Sequence, residues 1–172
     1  EKMAESGKPM ALTFHMFSRM QYAGSAMDYY LNMLKERFGD QFKYCLILGR
    51  EGRFVALARV EELAKVLRNY PDLYIISDEI YEYIVFEGEH TSLLEVAPDL
   101  KERTILINGF SKGFAMTGWR LGYLAGPEEV VGAVSKIQSQ ETSAPSAISQ
   151  KAGEAAYNHG LEAVYRMRDQ FS

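Results

Sequence analysis

Residues 104–123 read TILINGFSKGFAMTGWRLGY, and the architecture of the chain follows from them. The run 104–107 (TILI) is short, β-branched and apolar on both sides, which predicts a buried strand rather than a half-exposed one. Lys112 stands just past that run in a glycine-flanked loop, and Arg120 follows eight positions later. A second apolar run, 73–76 (LYII), ends in Ser77 and Asp78 and continues as SDEIY over 77–81. Two buried strands thus deliver a carboxylate and an amine where the strands stop.

Working outward, apolar runs alternate with helical periodicity. Residues 43–48 (KYCLIL) read as a short strand. A helix is expected over 25–38, with Ser25 as cap, Met27, Tyr30, Leu31, Leu34 and Phe38 on one face, and Gly39 as terminator. A second amphipathic helix over 60–69 places Val60, Leu63, Ala64 and Leu67 together, and Pro71 closes the connection. Residues 83–86 (YIVF) read as a short extended stretch, 92–97 as a short helix stopped by Pro98, and 121–125 as a fourth strand. Pro127 opens the next helix, with Glu128 and Glu129 at its positive end and Val130, Val134 and Ile137 as its buried face. Residues 138–146 read as a polar connection, and 147–158 and 161–171 as the last helices. Residues 1–24 have weak periodicity and several methionines, and read as a loosely packed extension in which His15 has a packing role. Alternating helices and buried strands give an α/β fold with a mostly parallel sheet flanked by helices.

Composition narrows the function classes. The 172 residues are enough for one core without disulfides, and 47% hydrophobic with 24% charged residues is the balance of a globular chain. A net charge of −4, with no lysine/arginine-rich run, argues against a nucleic-acid partner. No apolar run approaches the roughly 20 residues needed to span a bilayer, so no membrane partner is expected. The single cysteine, Cys45, lies in an apolar run and reads as a buried small side chain. A reducing, cytoplasmic location is the default for such a chain. The stretch 49–52 (GREG) lacks the glycine-lysine-serine ending of a phosphate loop, and Arg50, Arg53 and Arg59 read as solvated surface.

In open α/β sheets ligands bind beyond the carboxyl ends of the strands, where Asp78 and Lys112 are expected. A carboxylate, a lysine and an arginine at such an edge can together hold a phosphorylated aldehyde. The segments DEIY (78–81) and FSKGFAMTGWRLGY (110–123) resemble those of the class I and II aminotransferases, pyridoxal-phosphate (PLP) enzymes of the aspartate aminotransferase fold (fold type I). The resemblance runs from about residue 60 to the C-terminus and implies part of the large domain of that fold. It divides the chain into a divergent or unrelated segment, 1–59, with one helix and a short strand, and an aminotransferase-like portion, 60–172.

The resemblance also implies roles. Lys112 would form the Schiff base with pyridoxal 5'-phosphate and later move the substrate's α-proton. Asp78 would pair with the pyridine nitrogen, Tyr81 would hydrogen-bond the phenolic oxygen, and Arg120 would clamp the phosphate with its planar fork. Ser111 would assist as a further cofactor contact. Phe114 and Trp119 would pack around the loop. The implied reaction passes an amino group between an amino acid and a 2-oxo acid, in a homodimer. A non-catalytic PLP-binding or dimerisation module and a PLP-dependent β-lyase share the same motifs and stay open as alternatives. The chain departs from the family pattern in three places. Gly109 stands where the family carries a serine, residues 50–54 (REGRF) lack the family's ring-contacting asparagine, and no residue matches the arginine that binds the substrate carboxylate. The chain therefore reads as a central portion of an aminotransferase.

Overall fold

The computed structural model describes residues 10–16, 23–39, 42–49, 57–85 and 88–170. Its frame is a five-stranded sheet in the order β1-β2-β3-β4-β5. The strands are β1 (Met10–Met16), β2 (Phe42–Gly49), β3 (Tyr74–Asp78), β4 (Thr104–Gly109) and β5 (Gly122–Ala125). The first four are mutually parallel, and β5 returns antiparallel to β4. Helices α1 (Ala23–Phe38) and α2 (Leu57–Arg68) make the first two crossovers. Helix α3 (Leu93–Val96) and a 3₁₀ helix, Pro98–Arg103, lie between β3 and β4. Helices α4 (Glu128–Glu141), α5 (Ala147–His159) and α6 (Leu161–Asp169) follow β5.

The core forms on the face of α2 that its spacing selects, while the side chains of Met27, Tyr30 and Phe38 on α1 lie outside the described residues. Leu31 of α1, Val60, Leu63, Ala64 and Leu67 of α2, and Ile75 of β3 are buried together with Tyr70, Leu73, Leu93, Ala97 and Leu100. Two polar braces close this cluster. The buried Tyr70 hydroxyl donates to Asp28 Oδ1 at 2.9 Å, tying α1 to the end of α2. Burial and that carboxylate push the Tyr70 hydroxyl up to about 12. Arg103 donates to the carbonyls of Leu67, Tyr70 and Leu73 at 2.7, 3.0 and 2.7 Å, adding a charged donor to Leu67 and Tyr70, which also accept the Tyr70 and Leu73 amides.

Several expectations change. Residues 10–16 are not an extension but a strand paired along β2, with His15 opposite Leu48. Helix α1 starts at Ala23, so Ser25 lies inside it, while Gly39 ends it with a left-handed φ of +51°. Asp78 is the last residue of β3 rather than a residue beyond it. Tyr83 sits in a turn, because the backbone hydrogen bonds from Glu82 to Glu79 and from Ile84 to Tyr81 curl the chain. Pro98 does not stop helical structure but opens the 3₁₀ helix, where a missing N–H is harmless. Helix α4 runs on to Glu141, into the expected connection, and has no buried residue. Val130 is half-buried, but Val134 is 36% and Ile137 64% exposed, so most of its apolar stripe is open among the described residues. The segment 50–54 and the side chains of His15, Cys45 and Arg59 lie outside the described part of the chain.

Candidate active site

Topology brings the predicted residues to one edge. Asp78 ends β3, where it pairs with Leu48 on β2 and Ile107 on β4. Lys112 leaves the same carboxyl edge five residues after Ile107. Because β5 runs backwards, its first residue, Gly122, pairs with Gly109, the last of β4. Arg120, two residues earlier, therefore enters at that edge as well. This approach is close: a Cβ on Gly109 would stand 2.9 Å from Gly122 Cα and 3.0 Å from the Leu121 carbonyl. A serine there would require β4 and β5 to part, which accounts in packing terms for the glycine.

The loop after β4 is built to present Lys112. The Met116 amide donates to the Phe110 carbonyl and the Ala115 amide to the Lys112 carbonyl, closing residues 110–116 into a compact turn. Phe110, Phe114 and Met116 point into a second cluster with Val164, against Tyr83, Leu121, Ala152, Ala156 and Met167. With the apolar side chains anchored inward, Lys112 is left exposed. Its Nζ lies 5.7 Å from the centroid of the Tyr81 ring, within cation–π range. Ala115 and Arg120 both hold left-handed backbone, φ 52° and 50°, so the loop carries strain on each side of Trp119. Phe114 packs as expected, whereas Trp119 is 44% exposed.

The polar groups on this edge are only partly engaged. Asp78 Oδ1 accepts the Ile80 amide at 3.2 Å, a turn that fixes the carboxylate at the strand end. The Arg120 guanidinium donates to the Thr117 carbonyl at 2.9 Å from one nitrogen. Ser111 is half-buried beside Lys112. This set fits pyridoxal 5'-phosphate: an amine for the aldehyde, a carboxylate for the ring nitrogen, a phenol for the ring oxygen, and a guanidinium and a hydroxyl for the phosphate. Tyr81 and Lys112 lie within cation–π distance, and Asp78 and Arg120 share their edge through strand register.

A polar group that the motif reading passed over lies directly behind Asp78. Glu79 is 6% exposed. Its Oε1 accepts the hydroxyls of Ser77 at 3.0 Å and Ser92 at 2.8 Å, and its Oε2 accepts His90 Nε2 at 3.1 Å. Burial pushes its carboxyl up, but the bonds from His90, Ser92 and Ser77 outweigh this and leave it below its ordinary value. The Glu79 contact raises the His90 imidazole. Nearby, Asn108 Oδ1 accepts the Gly109 amide at 2.7 Å. Burial pushes the Glu82 carboxyl up, and the nearby Asn108 side chain partly offsets this. The sequence signal for this group was slender, since Glu79 is one letter of DEIY and its partners at 90 and 92 follow no spacing rule.

The carboxyl edge of a mostly parallel sheet carries lysine, aspartate, tyrosine and arginine, groups whose chemistry fits a phosphorylated aldehyde cofactor. Residues 51–172 match the family model for aminotransferases of class I and II, and the chain belongs to that family, whose cofactor is pyridoxal 5'-phosphate. It is 57% identical over 112 residues to an aspartate aminotransferase of Pinus pinaster, covering 63% of this chain and 23% of that protein. It is 44% identical over 121 residues to an aspartate/prephenate aminotransferase of Nitrosomonas europaea, covering 70% of this chain and 30% of that one. The aspartate aminotransferase structure from Rhizobium meliloti superposes with a TM-score of 0.77 at 31% identity, over 90% of this chain and 38% of that one. The chain thus spans less than a third of the length of these curated relatives.

Proposed function

We propose that this chain is the cofactor-bearing portion of an aminotransferase that moves an amino group between an amino acid and a 2-oxo acid. The observation that carries the reading is the Lys112–Tyr81 contact at the sheet edge that Asp78 also occupies. When bound, pyridoxal 5'-phosphate supplies an aldehyde for amines and a ring that takes up electrons from the substrate's α-carbon. Lys112 Nζ would hold the cofactor through its aldehyde carbon, with loss of water, and would be the group that moves the substrate's α-proton. Asp78 would hold a proton at the ring nitrogen and so favour uptake of electrons by the ring. Tyr81 would donate to the ring oxygen, and its ring lies 5.7 Å from Lys112 Nζ. Arg120 and Ser111 hold the phosphate. The names of the relatives support aspartate as amino donor. The residue division proposed from the motifs, 1–59 and 60–172, is close to the start of the family match at residue 51. A homodimer in a cytoplasmic setting completes the proposal. It is supported by the family's habit and by a single cysteine in the chain.

The test is spectroscopic. Wild-type protein titrated with pyridoxal 5'-phosphate is expected to gain a visible absorption band that borohydride bleaches, with the label on the Lys112 peptide. Lys112→Ala should gain none. Identical spectra for the two proteins would sink the proposal. Amino transfer from aspartate to a 2-oxo acid separates the aminotransferase from a β-lyase, which would release ammonia, and from a non-catalytic module, which would turn nothing over.

A further inference from the structure

We infer that Glu79 is a positioning residue of the cofactor site, a buried clamp that fixes the turn carrying Asp78 and Tyr81. The inference rests on the reading of those two residues as cofactor contacts. Glu79 lies between them in sequence, and its backbone does two jobs. Its amide donates to the Ile107 carbonyl at 2.9 Å, extending the β3–β4 ladder one residue past Asp78. Its carbonyl accepts the Glu82 amide at 2.9 Å, which closes the turn that holds Tyr81. The side chain decides whether that backbone can move. Its two oxygens accept three donors from three places: Ser77 on β3, Ser92 at the start of α3, and His90 on the connecting segment. Ser92 also accepts the Leu94 amide at 3.3 Å, so the clamp is pinned to the first turn of α3.

The cost of releasing the clamp is local. Removing the carboxylate would leave the Ser77 hydroxyl, which is buried with its residue only 4% exposed, without its acceptor. The Ser92 hydroxyl and the His90 ring would lose the same partner. The nearest relief is for the turn to swing outward and admit water, and that motion carries Tyr81 away from Lys112 and withdraws the Ile80 amide that orients the Asp78 carboxylate. Strand pairing holds the Asp78 backbone, but among the described residues neither the Asp78 carboxylate nor the Tyr81 ring has a fully buried hydrogen-bond partner. Asp78 bonds the Ile80 amide within the same turn, and Tyr81 meets Lys112 across an exposed edge. The clamp therefore supplies the rigidity that the site residues lack.

The experiment compares Glu79→Ala with Glu79→Gln, which keeps the shape and an acceptor for the serines. Amide exchange at Ile80, Glu82 and Ile84 is expected to speed up about tenfold in Glu79→Ala, while Leu67 in the core is unchanged. The dissociation constant for pyridoxal 5'-phosphate is expected to rise about tenfold in step, and Glu79→Gln should restore most of both. Uniformly faster exchange, including Leu67, would reduce Glu79 to a general folding element and overturn the inference. A loosened turn with unchanged cofactor affinity would overturn it too. If Glu79→Ala does not fold, Ser77→Ala removes one donor and is expected to change both readouts in the same direction; no change in either counts against the clamp. A wild-type spectrum indifferent to Lys112→Ala marks failure of the cofactor reading itself, and the clamp falls with it as a cofactor device. A Lys112-dependent spectrum with an ineffective Glu79→Ala marks failure of the clamp alone.

Discussion

Arg103 shows how much one residue can decide. Past the end of α2 the chain has to turn into β3, and the Leu67 and Tyr70 carbonyls there each accept one backbone amide and have a lone pair to spare. Arg103 spans the gap by donating to three carbonyls, of Leu67, Tyr70 and Leu73. Two of its nitrogens share these bonds, an arrangement that a planar fork can make and a point charge cannot. Arg103→Met is therefore expected to destabilise the protein by about 2–4 kcal/mol, read as a lower midpoint in urea, since charged hydrogen bonds contribute about 1.5–3 kcal/mol each and are not additive. Arg103→Lys should recover less than half of the loss. A full recovery by lysine would show that charge alone matters. Nothing in the sequence marked Arg103 for this role, because its partners lie 30 to 36 residues away. Lys112 and Asp78 were legible for the opposite reason. Each stands at the end of an apolar run, and a run's end is a local signal.

At the scale of elements, the turn after β3 brings together groups whose charges depend on pH. Glu79 has its carboxyl held low, so its contribution is present above the ordinary value near 4.3 and is lost as pH falls through its folded value. His90 is raised, so its contribution is complete below about 6.5 and is lost as pH rises through its folded value. The ion pair therefore supports the turn most between about pH 4.5 and 6.5. Glu79, Glu82 and Glu95 all face His90 and favour its charged form. Glu82 is lifted by burial, so its ionisation erodes stability as pH rises from about 4.5. The His90 part is isolated by difference. Unfolding free energy by urea should fall between pH 6 and pH 9 in wild type, and fall less in His90→Gln. Equal slopes would show that the ion pair contributes nothing. Element types were well read from periodicity, since α2 buries the four residues its spacing selects. The stripe on α4 has the same period and is mostly exposed. A period tells which residues share a face, while the cover for that face depends on distant chain.

Across the whole molecule, two apolar clusters divide the work. One gathers Leu31, α2, the start of β3 and α3. The other gathers Phe110, Phe114 and Met116 of the Lys112 loop under Val164 of α6. The second is smaller and more aromatic: Phe114 lies 5.3 Å from Phe110, 5.4 Å from Tyr83 and 6.0 Å from Tyr157 by ring centroids. Tyr157 is itself 46% exposed, so this cluster has an open flank that the first lacks. Its burial holds a loop with two left-handed non-glycine residues, Ala115 and Arg120. That strain works against the loop at all times, at about 1–3 kcal/mol for each residue. The two clusters should therefore open separately. Leu67→Ala removes a fully buried side chain from the first and is expected to lower global stability by about 2–5 kcal/mol. Val164→Ala removes less and acts on the second, so it should speed amide exchange at Met116 and Trp119 while leaving Leu67 nearly unchanged. The cofactor ties the two outcomes together, because Lys112 lies in the loop that the second cluster holds. Bound pyridoxal 5'-phosphate is expected to slow exchange at Met116 in Val164→Ala more than it slows exchange at Leu67 in Leu67→Ala. Equal protection at both positions would mean that the sheet and the lysine loop unfold as one unit, with the strain at Ala115 and Arg120 borne by the entire fold.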